Sequence, residues 1–206
     1  AAGPDLLIGL DVDGTIFHHD TSLSPRVRDA ILAHVAAGTH VVIATGRGIA
    51  GTQLALDALG LSGVYAVCSN GAIIAAFGED PGLAPTTPVS PFITDRAVHI
   101  VRVHTFDPSA EIAKVLVGLP DAAIAVESMS SATRISAPFP VGELSGNVVL
   151  SAPDQLVGPD TTRVTIRAPH MTAMELLDAI EALGLRLSLI HIDAADDSLP
   201  VDVGGR

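Results

Sequence analysis

LLIGLDVDGT, residues 6–15, carries the first clue to architecture and chemistry together. Its first half, Leu6–Leu10, is short and wholly apolar without alternation. Such a run reads as a parallel strand buried on both faces. Its second half, Asp11–Thr15, stands at the C-terminal end of that strand. Working outward, Phe17–Leu23 is a polar loop, and Ser24-Pro25 supplies an N-cap and a first helical residue. Val27, Ala30, Ile31, His34 and Val35 give that helix its apolar face, and Gly38 stops it. His40–Ala44 is a second apolar strand. Ile49–Leu59 reads as a second helix, stopped by Gly60, and Val64–Cys68 as a third strand. The order β-α-β-α-β implies a parallel sheet in an α/β fold.

Ligands of open parallel sheets bind beyond the C-terminal strand ends. Residues two apart in an extended segment point to one side, so Asp11 and Asp13 aim two carboxylates into one space. Like charges that close need a cation between them or a shared proton. Mg²⁺ is the natural cation, being hard and suited to phosphate sites. Gly14 lets a ligand approach the backbone. Thr45-Gly46-Arg47 ends the second strand, where a hydroxyl and helix N-terminal amides make an anion cradle. The bland alternatives are an Asp- and Gly-rich turn and a Thr-capped strand-to-helix turn.

Composition narrows the field. The 206 residues are 48% hydrophobic and 17% charged, which is globular and excludes long disorder. The longest apolar pieces, such as Ala72–Phe77, fall well short of the ~18–20 residues of a membrane helix. A net charge of −12 disfavours nucleic acid as a partner. The one cysteine, Cys68, fits a reducing cytosol, and no signal-peptide pattern appears, so a cytoplasmic protein is expected. The sequence carries no trace of the oligomeric state.

LIGLDVDGTIFHHDTSLSPRVRDAILAHVAAGTHVVIATGR, followed by YAVCSNGAII, resembles the haloacid dehalogenase superfamily phosphatases of the Cof type (subclass IIB-like). The resemblance implies a three-layer Rossmann-like core with an inserted α+β cap that covers the site. On that basis residues 1–80 are expected to form the N-terminal part of the catalytic core and 81–200 the cap. It implies a Mg²⁺-dependent phosphatase acting on a small phosphorylated metabolite through an aspartyl-phosphate intermediate. Asp11 would be the nucleophile and a metal ligand. Asp13 would be general acid and then general base, and would also bind the metal. Thr45 and Gly46 would hold phosphate oxygens, with Gly14, Arg47 and Asn70 near the substrate.

The family also uses a lysine and an acidic Gly-Asp loop. The only lysine is Lys114, inside a presumed cap helix. Asp193 and Asp197 carry the loop's spacing without its glycine, and Arg163 or Arg167 would have to replace the lysine. The C-terminal part of the core is therefore expected to be missing. Residues 187–206 resemble translated sequencing-adapter DNA, which would make that tail foreign. A catalytically incompetent fragment, or a phosphate-binding module, is the competing expectation. Elsewhere, His18-His19 reads as a solvated loop pair, Cys68 as core, and Met171, Met174 and Leu177 as core packing. Glu127 and Arg134 would either read a substrate or form ion pairs.

Overall fold

The structure is a computed structural model and describes residues 2–18, 21–78, 87–88, 97–129, 132–185 and 201–203. The chain divides into two compact units, residues 1–103 and 104–206. The first holds β1 (Leu7–Leu10), α1 (Pro25–Ala36), β2 (His40–Ala44), α2 (Ile49–Leu59), β3 (Val64–Cys68), β4 (Ile73–Phe77), β5 (Thr87–Pro88) and β6 (Val98–Val103). The strands form one sheet in the order β1-β2-β3-β4-β6-β5. β1, β2 and β3 are mutually parallel, as the sequence pattern implies, and β3, β4, β6 and β5 pair antiparallel.

The helix boundaries follow their local signals. Pro25 opens α1, although the Ser24 hydroxyl makes no capping bond. Gly60, at φ 73°, closes α2 in the left-handed conformation that glycine adopts without a Cβ penalty. Leu56 and Leu59 of α2 are fully buried, as are Ile43 and Ala66 on the sheet.

Two expectations need correction. β1 is not buried on both faces: Leu7 is 65% exposed, and β1 pairs with β2 alone among the described residues. An unbroken apolar run records hydrophobicity, not whether a second neighbour is present. The sequence-based boundary near residue 80 is also too early for the first compact unit. Ile73–Phe77, an apolar run not foreseen as a strand, returns antiparallel to β3 and recruits Val98–Val103 as its next neighbour. Val98–Val103, inside the stretch 81–200 expected as the cap, thus belongs to the first sheet.

The second unit contains α3 (Ser109–Gly118), β7 (Ala123–Ser128), β8 (Thr133–Ile135), β9 (Val148–Leu150), β10 (Thr161–Arg167), α4 (Ala173–Ala182) and β11 (Val201–Val203). Its sheet runs β11-β10-β7-β8-β9, antiparallel except for β8 with β9. Ile124, Val126, Val164 and Ile166 pack with Ile112, Val115, Leu176 and Ile180 in one core. α4 starts with a capping box. Glu175 N–H donates to the Thr172 hydroxyl, and Thr172 N–H donates to the Glu175 carboxylate. Met171 packs against this core, but Met174 is 53% exposed on the outer side of α4, contrary to expectation. Of the expected tail, Val201–Val203 pair with β10, while Asp193 and Asp197 lie outside the described residues. No helix among the described residues is long and apolar enough to cross a membrane.

Candidate active site

Parallel register places Leu10 beside Ile43 and Ala44 beside Val67, so three loops leave the sheet side by side. The first is a tight turn. Ile16 and Phe17 N–H both donate to Val12 O, at 3.0 and 2.9 Å, and Gly14 N–H donates to Phe17 O at 2.9 Å. Gly14 sits at φ 76°, in the left-handed region that favours glycine. This turn buries Val12, Ile16 and Phe17 beneath the loop and leaves Asp11 and Asp13 half-buried on its rim. The Thr15 hydroxyl donates to Asp11 Oδ2 at 3.0 Å.

The second and third loops are laced together. Thr45 N–H donates to Val67 O, Ser69 N–H to Arg47 O, and Asn70 N–H to Thr45 O. Thr45 is buried, and its hydroxyl oxygen accepts from Arg47 N–H at 3.1 Å, which leaves the hydroxyl proton to be donated. Ser69 and Asn70 both adopt positive φ, 48° and 55°, a conformation sparsely populated by non-glycine residues. That turn brings Asn70 over Gly46: an ideal Cβ at Gly46 would lie 2.7 Å from Asn70 Oδ1. A side chain at 46 would therefore displace the Asn70 carboxamide.

Arg47 joins the first loop to the second. Its Nε donates to Asp13 Oδ2 at 2.9 Å and its Nη2 to Asp13 Oδ1 at 2.5 Å, a two-pronged pair. The guanidinium carbon stands 5.7 Å from the Phe17 ring centroid. Of the residues expected at the site, Asp13, Thr45, Gly46, Arg47 and Asn70 thus form one connected cluster. Gly14 shapes the same loop as Asp13, and Asp11 is held by Thr15 at its base. Sequence reading missed Phe17 and Ser69. The signal for Phe17 was an aromatic residue inside an otherwise polar loop. Ser69 is buried, and nothing in its residue type announces the backbone it adopts.

The remaining candidates fall elsewhere. His18 is exposed, and His19 lies outside the described residues. Cys68 is fully buried, as expected. Glu127 pairs with Arg163 across β7 and β10, Arg167 Nε donates to Glu143 at 3.1 Å, and Arg134 donates to Val157 O. Both arginines considered as substitutes for a lysine thus have acidic partners within the second unit. Lys114 is exposed on α3. Among the described residues no three His, Cys, Asp or Glu side chains gather as a metal cluster. The Asp11 carboxylate and the Asp13 backbone carbonyl are hard oxygen donors that suit Mg²⁺, which keeps several waters and takes one or two carboxylates besides phosphate oxygens.

Residues 8–88 match the haloacid dehalogenase-like hydrolases. Over that stretch the chain is similar to this family. It is 41% identical over 70 residues to YxeH of Bacillus subtilis, a protein assigned as a phosphatase, covering 33% of this chain and 26% of that protein. Among solved structures, a haloalkanoate-superfamily phosphatase from Bacteroides thetaiotaomicron aligns over 97% of this chain and 66% of its own, at 20% identity and a TM-score of 0.58. A subclass IIB sugar phosphatase aligns over 97% and 70%, at 13% identity and a TM-score of 0.59. The fold is therefore that of the family, and the chain spans about a quarter of the curated relative's length.

Proposed function

We propose that this chain carries the nucleophile-bearing half of a phosphatase active site, which hydrolyses a small phosphate ester in the cytoplasm. The observation that carries the reading is the convergence of Asp13, Thr45, Gly46, Arg47 and Asn70 where three parallel strands end, on the strand end that also bears Asp11. Asp11 Oδ attacks phosphorus and the P–O bond to the leaving group breaks. Asp13 gives that leaving oxygen a proton. In the second half Asp13 takes a proton from water as the water oxygen attacks phosphorus, and the Asp11–phosphorus bond breaks. The Thr45 hydroxyl donates to a phosphate oxygen, which aligns the ester with Asp11. Asp11 and Asp13 would hold Mg²⁺, which when bound neutralises phosphate charge.

The test is release of phosphate from p-nitrophenyl phosphate with Mg²⁺ present. Asp11→Asn is expected to lower the rate on the order of a thousandfold or more. A rate left unchanged by that substitution removes Asp11 from the nucleophile's role. The second reading, a phosphate-binding module without turnover, is favoured by the single lysine on α3 and the donor set of one carboxylate and one carbonyl. Binding of inorganic phosphate with no hydrolysis of any ester would establish it.

A further inference from the structure

Arginine beside a phosphate site is ordinarily read as a phosphate ligand. The geometry here points to a different duty, and we infer that Arg47 is a positioning residue for the Asp13 carboxylate rather than a grip on the substrate. This inference rests on the phosphatase reading above. Three observations converge on it. The Nε and Nη2 groups of Arg47, the two that form a planar fork, are both committed to the Asp13 oxygens. The guanidinium is backed by the Phe17 ring, which belongs to the same turn as Asp13 and is itself buried. The Arg47 backbone is fixed from both sides. Its N–H donates to the Thr45 hydroxyl, and its C=O accepts from Ser69 N–H and, at 3.4 Å, from the Thr52 hydroxyl.

The consequence is a linkage between two catalytic groups. Asp13 and Thr45 lie on different loops, 32 residues apart in sequence, yet both hydrogen-bond to Arg47. Thr45 bonds its backbone and Asp13 its side chain. The residue thus sets where the proton-transfer group stands relative to the hydroxyl that would orient the phosphate. Lysine cannot reproduce this, because a point charge lacks the planar fork.

The first test reads the pair directly, in the full 206-residue chain labelled with ¹⁵N. The Arg47 Nε–H proton is expected to exchange with water at least about tenfold more slowly than that of Arg26, which is exposed on α1. Asp13→Asn should abolish the difference, and addition of inorganic phosphate should leave the Arg47 signal in place. Exchange as fast as that of Arg26, or movement of Arg47 onto added phosphate, overturns the inference.

The second test uses two esters in the presence of Mg²⁺. An alkyl phosphate such as glycerol phosphate needs a proton on its leaving oxygen, whereas p-nitrophenyl phosphate does not. Arg47→Lys, and separately Arg47→Met, should lower turnover of the alkyl ester at least about tenfold more than that of the aryl ester, with the KM for each changed little. Equal losses on both esters, with a raised KM, would make Arg47 a phosphate ligand and overturn the inference. If neither ester is hydrolysed by the unsubstituted chain, the phosphatase reading falls, while the exchange measurement still decides what Arg47 holds.

Discussion

The two units obey local rules to different degrees. In the second, α4 begins with a complete capping box, β7 and β10 place Glu127 directly across from Arg163, and one apolar core collects the inward-facing residues of sheet and helices. Propensity, pattern and pairing agree there. In the first, the strand-end loops break such rules. Ser69 and Asn70 are non-glycine residues held at positive φ, and Ser69 buries a hydroxyl oxygen with no hydrogen-bond partner among the described residues. Gly46 survives only because nothing projects from its Cα. Departures of this kind cost free energy and persist where surrounding structure over-determines them, which is characteristic of functional sites. The contrast separates a unit built for stability from a loop cluster built for placement.

The comparison can be broken most forcefully in the cores. Leu176→Ala, at a site only 2% exposed, should destabilise the second unit by about 2–5 kcal/mol. Leu56→Ala should cost the first unit a similar amount. If the units unfold separately, each substitution shifts its own transition in a urea titration and leaves the other in place. One merged transition shifted by both would join them.

Gly46→Ala sharpens the functional half of the contrast. The added methyl meets Asn70 Oδ1, so the Asn70 carboxamide must move away from the second loop. Phosphate release is expected to fall on the order of a hundredfold, as displacement of positioning groups by an ångström can do. Circular dichroism should remain that of the folded chain. Undiminished turnover would show that the interlocking of these loops does not matter for chemistry.

Thr172→Ala has a smaller effect, removing the α4 cap at about 1 kcal/mol and leaving the kinetics alone. The smallest effect concerns pH. Hydrogen bonds from Thr172, backbone N–H first and hydroxyl second, hold the Glu175 carboxyl below its ordinary value of 4.5. A carboxyl lowered in the folded state contributes stability that is complete above the unfolded value and disappears as pH falls through the folded one. Glu175→Gln should therefore differ from the unsubstituted chain at neutral pH and converge with it in an acid titration. A difference that grows on acidification would contradict that assignment.

Much of the parallel half of the first unit was legible in sequence, because apolar runs and stop glycines alternate cleanly through Cys68. The return strand Ile73–Phe77 was not, since only four residues, Ser69 to Ala72, separate it from β3 and its apolar run lacks a period of its own. β9 was missed for the opposite reason: Val148–Leu150 is short and exposed. The site residues could be named from their motifs, yet the Asp13–Arg47 pair could not. Those residues stand 34 positions apart, and only the register of β1 on β2 makes them neighbours. Sequence motifs specify which groups are present, whereas pairing between distant loops depends on how strands align.

The outer position of β1 bears on how the molecule would respond to warming. Its backbone is tethered along one side alone among the described residues, and Leu7 has little over it. Local fraying would therefore release this strand ahead of β2 and β3. Because Asp11 is the residue immediately after β1, detachment of that one strand would silence the proposed reaction while most of the molecule stayed folded. Heat inactivation should then precede the main melting transition, with hydrogen exchange rising first in Leu7–Leu10.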